Sequence, residues 1–250
     1  MSVDHHPRVA LMADEIGRGP LSRAAAAVYR MLVLELQLLL ATLPTIGAVL
    51  LLDRDPSNLP LFILALLPIA PALVAGVSAV RAAARSNDLA PGKYFFRAYR
   101  RDIAATLAWA VPVSLLLAIL TFNLIHLDDV DGGAAMRPFV LFLAALVIVW
   151  AGHMLVLTAG FRFRTRDAAR IALAQIVPRW GYSLGVLSLV LVAAFVVLIA
   201  SEVILLLFLW AGVGLLTLMA RPVLHHVTKR FTDQHYHQMQ DPEGNEFCSP

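Results

Sequence analysis

The chain has 250 residues, of which 60% are apolar and only 15% are charged, and its formal net charge is +3. About a quarter of the residues of an ordinary soluble domain are charged, so this composition excludes that class and predicts an integral membrane protein. The isoelectric point of about 9.3 does not indicate nucleic-acid binding, because the cations flank apolar runs. Anionic lipid at a membrane surface is the nearer partner.

Residues 1–28 form a polar amino-terminal segment that carries several charges and prolines. The segment lacks the apolar core followed by small residues that a cleavable secretory signal contains. We therefore expect no cleavable signal peptide, so that the first apolar run itself directs insertion into the membrane.

Six apolar runs follow the amino-terminal segment. A bilayer core of about 30 Å requires roughly 20 apolar residues per helix, and the runs meet or approach that length: 31–52, 61–80, 103–124, 138–160, 182–200 and 203–220. This pattern predicts an all-α fold, a polytopic bundle of about six transmembrane helices.

The last two runs share one apolar stretch whose only charged residue is Glu202. A straight helix over residues 182–220 would be about 58 Å long, nearly twice the membrane core. We therefore expect a hairpin that turns near Ser201 and Glu202.

The basic residues predict the orientation of the bundle. All of the 20 lysines and arginines except Arg54 and Arg137 lie in alternate gaps between the runs. Lys and Arg resist translocation, so gaps rich in them stay in the cytoplasm. This distribution predicts cytoplasmic amino and carboxyl termini and a cytoplasmic tail over residues 221–250. The 18 arginines against 2 lysines are typical of a GC-rich bacterial genome, so we expect multi-pass insertion in a bacterial plasma membrane.

The first long cytoplasmic gap contains a segment in which aromatic side chains alternate with cations. Aromatic rings and arginines both favour the headgroup level, which predicts a helix lying along the membrane surface. The alternative is a docking surface for a cytoplasmic partner. The residues of this candidate surface are Lys93, Tyr94, Phe95, Phe96, Arg97, Tyr99, Arg100 and Arg101.

The second long cytoplasmic gap, residues 161–180, repeats that plan with a basic stretch and a short apolar segment. We expect a second interfacial helix there. Two units of equal orientation are found in some transporters, but alternating hairpins produce the same pattern, so no transport mechanism rests on the repeat.

Two ionisable residues lie inside the runs. Glu35 stands about one turn inside the cytoplasmic boundary of the first run. We expect it to reach headgroup water or to pair with Arg30 or an interfacial arginine, the alternative being a coupling or proton-binding role. We expect His153, deep in the fourth run, to be a hydrogen-bonded packing residue, the alternative being a proton relay.

Prolines interrupt three of the runs, at Pro44, Pro68, Pro71 and Pro112. Each proline removes a helical hydrogen bond and tends to kink the helix. Kinked packing within the bundle is the simpler interpretation. Broken helices whose carbonyl groups bind an ion or a substrate are the alternative.

No pattern in the chain predicts catalysis. Residues Gly181–Gly185 spell the Gly-x-Ser-x-Gly of a hydrolase nucleophile elbow, but that motif requires a preceding strand, so we expect these small residues to permit close helix packing. Neither a phosphate-binding loop nor a His-Glu-x-x-His site occurs. We predict a non-enzymatic protein without catalytic or cofactor-binding residues.

We also predict no metal site. The single cysteine, Cys248, excludes an intramolecular disulfide and a cysteine-clustered metal site. The tail histidines lack a third type of ligand, so a polar helix that continues from the sixth run is the better interpretation. These histidines are His225, His226, His235 and His237.

Four segments of the chain resemble the YesL-like family of bacterial integral membrane proteins: Gly19–Arg30, Leu43–Gly47, Ala75–Val80 and Tyr94–Arg101. The resemblance covers roughly residues 17–220 and implies a multi-span helical bundle. It carries over no catalytic residues, because no activity is established for the family. Some members are encoded beside carbohydrate uptake systems, which implies an accessory or regulatory role in transport. The alternative is a small self-sufficient transporter or channel that uses Glu35 and His153.

Overall fold

The computed structural model describes residues 19–53, 55–85, 91–129, 131–199 and 208–238. All secondary structure assigned within these ranges is helical, and no strand occurs in them. This confirms the all-α prediction. The α-helices in this part of the chain are α1 (Pro20–Leu51), α2 (Leu59–Ala65), α3 (Ile69–Arg85), α4 (Pro91–His126), α5 (Gly133–Gly160), α6 (Thr165–Gln175), α7 (Trp180–Ile199) and α8 (Leu209–Gln238). Short 3₁₀ turns at Pro56–Asn58 and Leu127–Asp129 precede α2 and follow α4.

Among the described residues, four helices are long and apolar enough to cross a membrane, or five if the bent pair α2 and α3 forms one span. The four are α1, α4, α5 and α7. Their outer faces are apolar. In α7, for example, Phe195 is 61% exposed and Leu198 is 83% exposed, as expected of side chains that face lipid rather than water.

The second apolar run, residues 61–80, is bent rather than straight. Helices α2 and α3 meet at an angle of 42°, and the turn between them ends at Pro68. Proline donates no backbone hydrogen bond, which accounts for the break and confirms the kink predicted here. Helices α1 and α4, by contrast, continue through Pro44 and Pro112.

The first predicted interfacial helix is wrong as a separate element, because α4 runs without a break from Pro91 to His126. Pro91 occupies its first position, where a missing N–H costs nothing. Phe95 and Ala98 are buried in the core, so packing holds this extension in line with the rest of α4. The second gap does contain the separate helix predicted there, α6.

The carboxyl-terminal helices confirm part of the prediction. The hairpin at Ser201 and Glu202 lies outside the described residues. Helix α8 continues past Arg221 to Gln238, as expected of a polar helix extending from the last run. Its apolar part, Leu209–His225, is shorter than a standard span, and residues 203–207 of the sixth run are not among those described.

Helix α3 lies at the centre of the bundle, where it contacts α1, α4, α5 and α8. Ala72, Val74 and Ala75 are completely buried. A Cβ atom placed on Gly76 would lie 3.1 Å from Val213 of α8 and 3.4 Å from Leu38 of α1. Small residues let helix backbones approach closely, so Gly76 permits three helices to converge here.

Candidate functional site

Glu35 lies at the middle of α1 and is only 8% exposed. Its Oε2 atom accepts a hydrogen bond of 2.9 Å from the backbone N–H of Trp210. The first amides of a helix have no partners within the helix, and its amino terminus carries partial positive charge. The Glu35 carboxylate therefore caps the amino terminus of α8.

The bounds of α1 give the position of Glu35 along the helix. Helix α1 begins at Pro20, before the predicted span, so Glu35 lies several turns from the amino-terminal end of the helix. Arg30, one of the partners expected for Glu35, donates from Nε to the carbonyl oxygen of Ala26 at 3.1 Å. The Oε1 atom of Glu35 is buried and accepts no hydrogen bond from the described residues.

His153 is fully buried where α5 meets α7. Its Nδ1 atom lies 3.0 Å from the carbonyl oxygen of Val149, and its ring packs edge-on against Tyr182, with 4.8 Å between the ring centres. The hydroxyl group of Tyr182 donates to the carbonyl oxygen of Gly152 at 2.8 Å. His153 is thus buried, with Nδ1 at hydrogen-bond distance from Val149 and its ring packed on Tyr182, and its Nε2 atom has no partner among the described residues.

The hydrolase-like motif, Gly181–Gly185, lies entirely within helix α7. The hydroxyl group of Ser183 donates to the carbonyl oxygen of Ile176 at 2.9 Å. A Cβ atom on Gly185 would lie 2.4 Å from the Met219 side chain of α8, which confirms close packing at this glycine. Gly181 has nothing within 4 Å of its Cβ position.

The candidate partner surface lies on residues 91–101, the first part of α4, which we call the α4 extension. Because this segment is helical, its side chains fall on two faces. Phe95 is only 2% exposed, and Tyr94 and Tyr99 pack against the core. These aromatic rings therefore point inward, and Phe95 is not available to a partner. The residues of this segment that remain exposed are Lys93, Phe96, Arg97, Arg100 and Arg101.

A cavity of about 350 Å³ lies where α3, the extension of α4 and the carboxyl end of α5 meet, and we call it the arginine cavity. Four arginines from three parts of the chain line it: Arg81, Arg97, Arg101 and Arg162. Its remaining lining residues include Ser78, Tyr94 and Phe161, and none of its described lining residues is acidic.

Helix periodicity explains why the arginines of α4 share this cavity. Residues three and four positions apart lie on one face of a helix, so Tyr94, Arg97 and Arg101 form a single stripe. On the opposite wall, the hydroxyl group of Ser78 donates to the carbonyl oxygen of Ala159 at 3.1 Å, which joins α3 to the end of α5.

Gly160 makes room for one of these arginines. A Cβ atom on Gly160 would lie 2.8 Å from Nη1 of Arg81 and 2.6 Å from Leu224. The Arg81 guanidinium therefore lies close over the bare backbone of Gly160, and a side chain there would displace it.

Asp102 balances part of the positive charge. Arg101 donates to both of its carboxylate oxygens, from Nε at 2.6 Å and from Nη2 at 2.5 Å. Bidentate pairs of this kind are strong and directional. Asp102 lines a second cavity of about 260 Å³, which shares Arg101, Phe161 and Arg162 with the arginine cavity.

The sequence assigned Arg97 and Arg101 to the candidate partner surface and treated Arg81 and Arg162 only as cytoplasmic charge, so it did not predict the cavity. The spacing of Arg97 and Arg101 was the available signal. Two further apolar cavities lie beside Pro112 and beside Gly152. Neither Glu35 nor His153 lines any of these four cavities.

Comparison with known proteins returned no matching family model, no similar curated protein and no similar solved structure.

Proposed function

We propose that this chain is a non-enzymatic plasma-membrane protein that acts as an accessory or regulatory partner of a transport system. It crosses the membrane six times with both termini in the cytoplasm. The resemblance to the YesL-like family points to carbohydrate uptake as the system served.

The membrane part of the proposal is supported by the helices and by the charges. Four helices in the described part of the chain are long and apolar enough to span a bilayer. All but two of the chain's lysines and arginines lie in alternate gaps between the apolar runs, and such gaps stay on the cytoplasmic side.

The partner role rests on one observation, the outward face of the α4 extension. Phe96 is 55% exposed and lies next to Arg97, with Arg100 one helical turn away. The buried Phe95 holds this helix against the core. An exposed aromatic ring among arginines on a rigid helix has the composition of an interface hot spot.

The test is to change this face without touching the arginine cavity. We expect the double substitution Phe96→Ala/Arg100→Glu to reduce co-purification of transport subunits at least about tenfold, because hot-spot residues dominate binding. The measurement is affinity purification of the tagged full-length chain from gently solubilised native membranes, with quantification of each co-purifying subunit.

A matched control is available on α6, where Leu173 is 62% exposed and Arg170 is also exposed. The double substitution Leu173→Ala/Arg170→Glu changes the net charge by the same amount as Phe96→Ala/Arg100→Glu and also removes a large exposed apolar side chain. We expect it to leave association unchanged. Equal association of the Phe96→Ala/Arg100→Glu variant and the wild type would rule out this face as the contact. Recovery of the chain alone as a defined oligomer would overturn the accessory role.

A self-sufficient transporter is the second candidate function. It is favoured by two buried polar atoms without partners among the described residues, Oε1 of Glu35 and Nε2 of His153. Ionisable groups within spans commonly mark ion or proton pathways. This function requires Glu35→Gln to abolish flux while the amount of protein in the membrane stays the same.

A further inference from the structure

The cavity beside Pro112 is a groove between α4, α5 and α6, and we call it the Pro112 groove. It has a volume of about 350 Å³, and all of its described lining side chains are apolar, among them Pro112, Leu146, Trp150 and Leu173. The indole N–H of Trp150 already donates to the carbonyl oxygen of Ala169 at 3.2 Å. The described lining therefore offers an occupant no free side-chain hydrogen-bonding group, so the groove suits hydrocarbon.

The walls of the Pro112 groove include two helices that are long and apolar enough to span a bilayer, α4 and α5. Trp150 precedes Gly160, the last residue of α5, by about 15 Å along the helix axis. Its hydrogen bond to Ala169 therefore shows that α6 folds back along α5. Leu146 and Leu173 are exposed, so the groove is open at its side, where a spanning helix meets lipid.

Two arginines of α6 lie on the same helical face as Leu173. Arg166, Arg170 and Leu173 are spaced by four and three positions, which places them in one stripe, and all three are exposed. A helical side chain leans toward the amino terminus of its helix, so Leu173 lies over the turn that carries Arg170. Neither arginine forms an ion pair with an acidic residue in the described part of the chain. Asp167 is the only acidic residue of segment 161–180, which contains five arginines.

We propose that an anionic phospholipid of the cytoplasmic leaflet binds here, with its phosphate group at Arg166 and Arg170 and part of one acyl chain in the Pro112 groove. Arginine matches phosphate oxygens bidentately, and basic pockets between spanning helices bind anionic lipid headgroups. The stripe from Arg166 to Leu173 extends about 10 Å along α6 and leads from cations to the apolar groove, which is the order of phosphate and chain in a phospholipid. The proposal rests on the membrane part of the proposed function and not on the partner role.

Charge complementarity favours an anionic lipid over a second copy of the chain. A symmetric dimer contact uses the same surface patch on both copies, so contact through this face would bring the Arg166 and Arg170 side chains of the two copies together. Like charges repel, whereas the phosphate group of an anionic lipid is attracted to both arginines. A zwitterionic lipid has no net charge and is attracted less.

Native mass spectrometry of the detergent-solubilised full-length protein measures lipid binding. The probes are phosphatidylglycerol and phosphatidylcholine with identical acyl chains, and we expect phosphatidylglycerol to bind at least about tenfold more tightly. Arg166→Gln/Arg170→Gln should remove this preference and leave binding of phosphatidylcholine unchanged. The control Arg30→Gln/Arg221→Gln removes two exposed arginines of α1 and α8, helices that do not line the groove, and should keep the preference. Unfolding temperatures verify that each variant is folded.

Tryptophan fluorescence tests whether the acyl chain lies in the Pro112 groove. Bromine atoms on an acyl chain quench a tryptophan that they contact, and Trp150 lines the groove. The contribution of Trp150 is the difference between the wild type and Trp150→Phe. We expect brominated phosphatidylglycerol to quench this contribution at a lower lipid fraction than brominated phosphatidylcholine, and Arg166→Gln/Arg170→Gln to abolish the difference between the two lipids.

Preferential binding of phosphatidylglycerol that depends on the α6 arginines and quenches Trp150 supports the proposal. Equal binding of the two lipids, an equal loss in the control variant, or no preferential quenching of Trp150 overturns it. A stable dimer that retains no lipid assigns the groove to a second copy and also overturns it. If the chain stays soluble without detergent and does not enter lipid bilayers, the membrane part of the proposed function fails together with this proposal, whereas entry without lipid preference overturns this proposal alone.

Discussion

Replacing Glu35 with alanine is expected to lower the free energy of unfolding by about 1–2 kcal/mol, the cost of removing a helix-capping side chain and leaving its N–H donor without an acceptor. The carboxylate accepts the partly buried backbone N–H of Trp210, and alanine offers no acceptor in its place. The measurement is thermal unfolding of the detergent-solubilised protein, followed by tryptophan fluorescence.

The matched variant Glu35→Gln separates the structural role from a transport role. Its amide oxygen can still accept the Trp210 hydrogen bond, so we expect stability within about 0.5 kcal/mol of the wild type. Normal accumulation together with a complete loss of flux in Glu35→Gln would support the transporter function. If Glu35→Ala is as stable as the wild type, the carboxylate does not hold α8 in place.

Replacing Gly152 with alanine is expected to destabilise the contact between α5 and α7 by about 1–3 kcal/mol, the usual cost of overpacking. A Cβ atom on Gly152 would lie 2.7 Å from Cγ1 and 2.9 Å from Cγ2 of Val186. The helices would have to separate, which would also strain the hydrogen bond from Tyr182 to the Gly152 carbonyl group.

A second substitution makes this prediction specific. Val186→Ala removes both of the atoms that clash, so Gly152→Ala/Val186→Ala should be more stable than the sum of the single effects by about 1 kcal/mol or more. Gly212→Ala is the control, because nothing lies within 4 Å of its Cβ position, and we expect it to be neutral or slightly stabilising. Additive effects in the double variant would contradict the proposed contact.

The helices that can cross the membrane were predictable from sequence because their signal is local. A long apolar run by itself predicts a helix that faces lipid, and Pro68 by itself predicts a break in the helix. The boundaries were less predictable. Phe95 lies among cations and other aromatics in a pattern typical of an interfacial helix, yet it is buried in the core, and burial by helices distant in the chain is not revealed by a local pattern.

The contacts of the candidate sites depend on residues far apart in the chain. Glu35 was recognised as unusual, but its partner is a backbone amide 175 residues away, and a backbone amide leaves no trace in the side-chain pattern. The arginine cavity was missed for a similar reason. Sequence placed its arginines on one side of the membrane, and only the packing of α3, α4 and α5 shows which of them converge.

The orientation of the bundle is the claim on which the partner role depends, and cysteine labelling tests it directly. Cys248 is first replaced by serine, and single cysteines are then introduced as Asp129→Cys or Arg100→Cys, both at exposed positions. A membrane-impermeant maleimide is applied to intact cells. We expect it to label Asp129→Cys at once and Arg100→Cys only after permeabilisation, whereas labelling of Arg100→Cys in intact cells would contradict the cytoplasmic placement of the basic face.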